Sequence, residues 1–198
     1  MSGDEPHAEV VLIRHGETDW SRARRHTGLT DVPLTERGQA EAEAAGRALA
    51  GRRFALVLTS PLGRARDTCR LAGYGDEAQV RVDLREWDYG AYEGLTTAEI
   101  RVEQPGWRIW DGSVPDGETL EEVAARADRV IGELRAAGGD AAVFSHGHFL
   151  RVLTARWLEL EPRGGRLFVL DPATISVLGY EHGGAAMREW NARCLPDA

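Results

Sequence analysis

The stretch Val10-Val-Leu-Ile-Arg-His-Gly-Glu-Thr-Asp19 decides how the chain is read. Val10 to Ile13 form a short apolar run, and β-branched residues of this kind suit a strand covered on both faces. The run ends in Arg14-His15-Gly16. A guanidinium and an imidazole thus arrive together at the carboxyl end of a strand, the edge where open α/β sheets hold their ligands. Gly16 is expected to let the backbone turn tightly there. The arginine fork matches phosphate oxygens, and a histidine nitrogen is a nucleophile near neutral pH. Side by side they suggest a phosphorylated histidine inside an arginine clamp.

Working outward, Ala141-Ala-Val-Phe-Ser-His-Gly-His148 repeats the device, an apolar strand ending in Ser145-His146-Gly147. Gly147 is expected to open a helix and turn its backbone N–H towards an anion. His148 and Arg151 then fall on the first turns of that helix, placed to touch the non-phosphate part of a substrate. A third apolar run, Ala55 to Ser60, leads into Pro61, which suits the first turn of a helix. Arg64 and Arg66 follow two apart, so they point to different sides of that helix, and spacing alone lets either serve a pocket. Leu84 to Gly94 mixes aromatic and acidic residues, and Glu86, Asp88 and Glu93 compete there for a proton-donor role.

The remaining segments connect these four. Residues 1–8 read as a loose tail, and 19–34 as a loop with room for one helical turn, able to fold Trp20-Ser21 and Arg25-His26-Thr27-Gly28 back over the Arg-His pair. Thr35 is placed to cap a helix over 36–50 that Gly51 stops. Val80 to Val82 reads as a short strand. Thr96-x-x-Glu99 and Thr119-x-x-Glu122 are capping boxes. Between them, Trp107 and Trp110 either close over a substrate or staple their loop to the body. Leu120, Val123, Ala127, Val130, Ile131 and Leu134 make one helical stripe, read as scaffold, that ends at Gly138-Gly139. Leu167 to Leu170 and Thr174 to Tyr180 read as closing strands and the final residues as coil. No linker divides the chain, so one domain over 1–198 is expected.

Composition narrows the chemistry. All 24 basic residues are arginine and lysine is absent, which excludes Schiff-base chemistry, lysine-anchored pyridoxal phosphate and a Walker-type phosphate loop. A formal charge of −8 without a basic tail or stripe argues against nucleic acid and anionic membrane as partners. Cys69 and Cys194 lie far apart with no metal spacing, no apolar run reaches membrane-spanning length, and no signal peptide is visible. A cytoplasmic protein acting on a small phosphorylated metabolite, with no cofactor and no metal, is expected. Its oligomeric state stays open, a homodimer included, because no exposed apolar stripe can be picked out without the fold.

The four motifs, in this order, resemble those of the histidine phosphatase superfamily, which includes cofactor-dependent phosphoglycerate mutase. The resemblance runs from Val10 to about Tyr180. It implies a three-layer α/β/α fold of the phosphoglycerate-mutase-like type, with a mostly parallel central sheet and helices on both faces. It also implies that His15 is the phosphorylated nucleophile and that Arg14, Arg64 and His146 neutralise the phosphoryl oxygens. Of the two arginines after Ala55 to Ser60 it picks Arg64, leaving Arg66 to a surface ion pair. Of the three carboxylates it picks Glu86 as general acid and base, with Trp87 as an aromatic able to raise its pKa by desolvation. Ser21, Thr27 and Gly28 are implied to contact the phosphate, with Gly147, Tyr92, Trp107 and His148 edging the substrate.

Phosphatase competes with mutase. Mutases carry an insertion between the acid and the second histidine, but only sixty positions separate Glu86 from His146, and Ser21 stands where mutases typically have Asn. A metal-independent phosphomonoesterase of the broad-specificity or sugar-phosphate branch is therefore expected. The rivals are a 2,3-bisphosphoglycerate-dependent mutase and a non-catalytic phospho-ligand binder.

Overall fold

The computed structural model describes residues 8–194. In chain order the elements are β1 (Val10–Arg14), α1 (Asp19–Arg22), α2 (Glu36–Ala48), β2 (Leu56–Thr59), α3 (Gly63–Leu71), β3 (Ala78–Val80), α4 (Thr97–Glu103), α5 (Leu120–Arg135), β4 (Ala141–Ser145), α6 (Gly147–Trp157), β5 (Thr174–Glu181) and β6 (Gly184–Arg193). One six-stranded sheet runs in the order β3-β2-β4-β1-β5-β6. The four strands from β3 to β1 are parallel, and β5 and β6 are antiparallel to their neighbours. The expected mostly parallel sheet is thus present, four of its six strands running parallel.

The period of two along β1 builds both layers. Val10 and Leu12 enter one core with α5, α6 and Trp87, while Val11 and Ile13 enter the other with Ala45 of α2, Leu49 at its C-cap and Cys69 of α3. All four strand residues are at most 2% exposed. Full burial of each contributes about 1.5–3 kcal/mol, so β1 is fixed from both faces. Capping does the rest locally. Thr35 Oγ1 accepts from Gly38 N at 3.0 Å, and Thr96–Glu99 and Thr119–Glu122 form complete capping boxes.

Several boundaries differ from the sequence reading. Pro61 precedes the helix, because Leu62 is the N-cap and α3 starts at Gly63. The short strand is Ala78–Val80, and Val82–Leu84 is a 3-10 turn. Leu167–Leu170 pairs with no strand, since Pro162–Leu167 forms a 3-10 turn instead. Gly184–Arg193, expected to be coil, form the ten-residue edge strand β6, and residues 195–198 lie outside the described residues. It is joined to β5 by His182-Gly183, both at positive φ (50° and 81°), as in a two-residue type I′ hairpin. The expected tail lies, apart from Ala8, outside the described residues. No helix among the described residues is long and apolar enough to cross a membrane.

Candidate active site

Strand register creates the site. Arg14 pairs with Ser145 across β1 and β4, so His15 and His146 leave adjacent parallel strands side by side, their ring centroids 5.2 Å apart. His15 N donates to Ser145 O at 3.0 Å, which ties the two strand ends together. Gly16 has a role other than the expected one. Its φ is not positive, but a Cβ there would lie 2.2 Å from the carbonyl oxygen of Gly38. Close packing of the strand end on the start of α2, not the turn itself, demands glycine.

His15 is 4% exposed, and its Nδ1 lies 2.8 Å from the carbonyl oxygen of Gly16. A carbonyl only accepts, so Nδ1 carries the proton and the lone pair of the neutral ring sits on Nε2. Burial, then Arg64 and Arg14, hold the His15 pKa well below its usual value. The imidazole is therefore neutral, as a nucleophile must be. His146 is likewise held low by burial, with Arg64, His15 and Arg14 adding to it. Its Nε2 meets Ser60 Oγ at 2.7 Å, and its buried Nδ1 has no hydrogen-bond partner among the described residues.

Both arginines of the clamp are anchored by part of the fork only. Arg14 Nη1 donates to the carbonyl of Leu170. Arg64, fully buried, donates through Nη1 to Thr30 O and through Nη2 to Thr27 O and Gly28 O. In each, Nε is buried without a partner among the described residues. Buried donors are nearly always satisfied, and three unsatisfied nitrogens around His15 mark a place built for an anion. Arg66 is exposed and, against expectation, forms no ion pair among the described residues.

Glu86 lines the same cavity of about 350 Å³ as Arg14 and His15. Its Oε1 accepts from Trp87 N (2.9 Å) and Phe149 N (2.8 Å), and its Oε2 from His148 N (3.0 Å). The second and third amides of α6, those of His148 and Phe149, thus go to the carboxylate of Glu86. Trp87 meets Glu86 through its backbone, while its ring packs on Trp110 and its indole donates to Glu118 O. The other two carboxylates are structural. Asp88 caps Gly90 N, and Glu93 accepts from Gly28, Leu29 and Thr30. Helix α5, read as scaffold, also holds the Glu86 segment: buried Arg126 binds Asp83 O, Arg85 O and both oxygens of Glu118. Burial works against the Glu118 carboxylate, but Arg126 holds its pKa below the usual range.

The remaining expected contacts divide. Ser21, Thr27, Gly147 and His148 line the cavity. The Ser21 hydroxyl, however, is engaged with Thr18 N and Thr18 O in the capping box of α1. Gly28 does not line the cavity and contributes its carbonyl to Arg64. Tyr92 and Trp107 also lie outside it. They pack edge to face at 5.2 Å in the core, and Trp107 Nε1 donates to Ser113 O, so this tryptophan staples its loop. Trp110 backs His148 and lies under Arg151.

Tyr89 takes the place expected of Tyr92. It is 2% exposed and its hydroxyl is 2.5 Å from His148 Nδ1. Burial pushes the phenol pKa well up and the His148 pKa well down. Both partners are therefore neutral, a phenol against an uncharged imidazole. His26, Arg24 and Asp171 complete the lining. The tyrosine could have been found from its place three residues after Glu86. Asp171 carries no signal in the sequence, following as it does a segment, Leu167 to Leu170, that reads as a strand. Among the described residues, no three His, Cys, Asp or Glu side chains are grouped to hold a metal.

The chain is similar to known proteins in sequence and fold. The family model "Histidine phosphatase superfamily (branch 1)" matches residues 10–193. An acid phosphatase of Mycobacterium tuberculosis is 42% identical over 178 residues, covering 88% of this chain and 87% of the relative. A sedoheptulose 1,7-bisphosphatase of Saccharomyces cerevisiae is 36% identical, over 76% and 67% of the two chains. A 2,3-bisphosphoglycerate-dependent phosphoglycerate mutase of Gloeobacter violaceus is 37% identical, over 78% of each. The solved structure of the M. tuberculosis open reading frame Rv3214 superposes with a TM-score of 0.91 at 38% identity, covering 95% of this chain and 99% of the other.

Proposed function

The chain belongs to the histidine phosphatase superfamily, branch 1, and from that premise we propose that it is a phosphomonoesterase acting on small phosphate esters through a phosphohistidine on His15. The observation that carries this reading is the commitment of His15 Nδ1 to Gly16 O, which leaves the lone pair on Nε2 of a ring that feels the charges of Arg64 and Arg14, whose buried Nε atoms have no partner among the described residues. In the first step Nε2 bonds to phosphorus, the P–O bond to the leaving group breaks, and Glu86 gives its proton to the departing oxygen. In the second, water bonds to phosphorus, its proton passes to Glu86, and the P–N bond breaks. Arg14, Arg64 and His146 hold the phosphoryl oxygens by preorganised charge and hydrogen bonding. The arginine fork supplies the neutralisation that a metal ion supplies elsewhere.

The acid phosphatase relative supports hydrolysis over transfer, as does the short stretch between Glu86 and His146, which holds a 3-10 turn, α4, the Trp107 staple, α5 and β4. The test is phosphate release from a panel of phosphomonoesters in EDTA, wild type beside His15→Ala. Release that persists in EDTA and vanishes in the variant is expected. Phosphoryl exchange with 2,3-bisphosphoglycerate in place of release makes the protein a mutase. Silence in both assays makes it a binder.

A further inference from the structure

The phosphate end of the cavity leaves open what the other end receives. A second cavity, of about 490 Å³, adjoins the first, and the two share Ser21, Arg24, Asp171 and Pro172. These four residues form a neck between them. Arg24 is the one cation at the neck, and its backbone has φ 56°, in the left-handed region that arginine seldom occupies. Such a conformation in a non-glycine residue persists where the surrounding structure imposes it, commonly at ligand sites.

Partners separate Arg24 from every other arginine lining the two cavities. In the first, Arg14 is bound to Leu170 O, Arg25 to Gly94 O, and Arg151 to Gly165 O and the Trp110 face. In the second, Arg22 pairs with Asp19, Arg37 with Glu41, and Arg193 with Asp171. The guanidinium of Arg24 has no hydrogen bond, ion pair or ring contact among the described residues. The carboxylate at the neck, Asp171, already faces Arg193 at 3.1 Å and Asn191 Nδ2 at 3.5 Å, so the uncompensated charge there is positive.

We propose that Arg24 is a specificity-determining residue that binds a second anionic group, a phosphate or a carboxylate, on the leaving portion of the substrate. The ester lies with its reacting phosphate at His15 and its second anion at the neck. This inference rests on the phosphomonoesterase reading above.

Matched substrates test it: fructose 1,6-bisphosphate against fructose 6-phosphate, and 3-phosphoglycerate against glycerol 3-phosphate. Each pair differs in the second anion, and the two pairs distinguish phosphate from carboxylate. Wild type is expected to favour the doubly anionic member of at least one pair in kcat/KM. Arg24→Gly removes the charge and suits the positive φ, so the fold is kept, which thermal unfolding checks. In this variant the preference should fall about tenfold, mainly through KM, while Arg24→Lys retains part of it. No preference in wild type, or a preference unchanged in Arg24→Gly, overturns the role of Arg24 while leaving the phosphatase reading intact. Failure of wild type to hydrolyse any member of either pair or p-nitrophenyl phosphate overturns both.

Discussion

Two strand ends of this molecule carry the same device, yet they do different things. β1 ends in Arg14-His15-Gly16 and β4 in Ser145-His146-Gly147, on adjacent parallel strands and in register. At β1 the imidazole commits Nδ1 to its own backbone and turns Nε2 towards the site. At β4 it commits Nε2 to Ser60 and keeps Nδ1 buried and unpartnered. The difference continues downstream. A loop returns from β1 to supply the carbonyls that hold Arg64, whereas α6 starts directly at β4 and fastens Glu86 with the amides of His148 and Phe149. Role follows from which nitrogen the surroundings occupy, not from the Xaa-His-Gly sequence.

Exchange of either histidine for alanine should therefore be unequal. His15→Ala should lower kcat by on the order of 10^4-fold or more, as loss of a nucleophile does, and His146→Ala by about 10²–10³-fold, as loss of one charge-stabilising donor does. Equal losses in steady-state kinetics break the comparison. Glu86→Gln should cost about 10²–10⁴-fold on alkyl phosphates and much less on p-nitrophenyl phosphate, whose leaving oxygen needs little protonation. A uniform loss across leaving groups removes Glu86 from the acid role. Ser60→Ala should free His146 Nε2 and cost about 0.5–1.5 kcal/mol of stability with a smaller kinetic effect than either histidine variant, readable by denaturant unfolding.

The two glycines sharpen the same contrast. Alanine at Gly16 drives a methyl group into the Gly38 carbonyl, backbone on backbone, and should cost about 1–3 kcal/mol or more. At Gly147 the added methyl comes within 3.3 Å of the Arg14 guanidinium, a side chain able to move. Gly147→Ala should keep its melting temperature and lose phosphate affinity instead.

Acid should weaken the whole edge. Burial lowers the pKa of His15, His26, His146 and His148 in the folded protein. The unfolded chain, with histidine near 6.5, then binds more protons than the folded one below that pH. Stability is accordingly complete above about pH 6.5 and falls as pH drops further, by about 1.4 kcal/mol per pH unit for each extra proton. Denaturant midpoints that stay flat from pH 7 to pH 5 contradict the neutral, buried state of these rings.

The strand ends were legible because apolar runs, a terminal His and a following Gly are local signals. Arg14, His15 and His146 could be named from them, whereas only the family resemblance separated Glu86 from Asp88 and Glu93; Arg14, His15 and Glu86 line one cavity, and the His146 ring lies 5.2 Å from that of His15. What escaped depends on direction and distance. Tyr89 and Tyr92 are three apart in one short turn, and only the fold shows that the first faces His148 and the second the core. Arg126 sits in a helical stripe whose apolar members conceal its link to the Glu86 segment, 40 positions away. β6 is polar on its exposed face, and its hairpin turn is His-Gly rather than Asn-Gly, so the strand read as coil.

The most direct measurement is to trap the phosphoenzyme at alkaline pH during turnover and locate the phosphoryl group by phosphorus and nitrogen NMR. The geometry predicts a single phosphohistidine, at His15, substituted on Nε2. Phosphate on Nδ1 of His15, on His146, or on no histidine contradicts it.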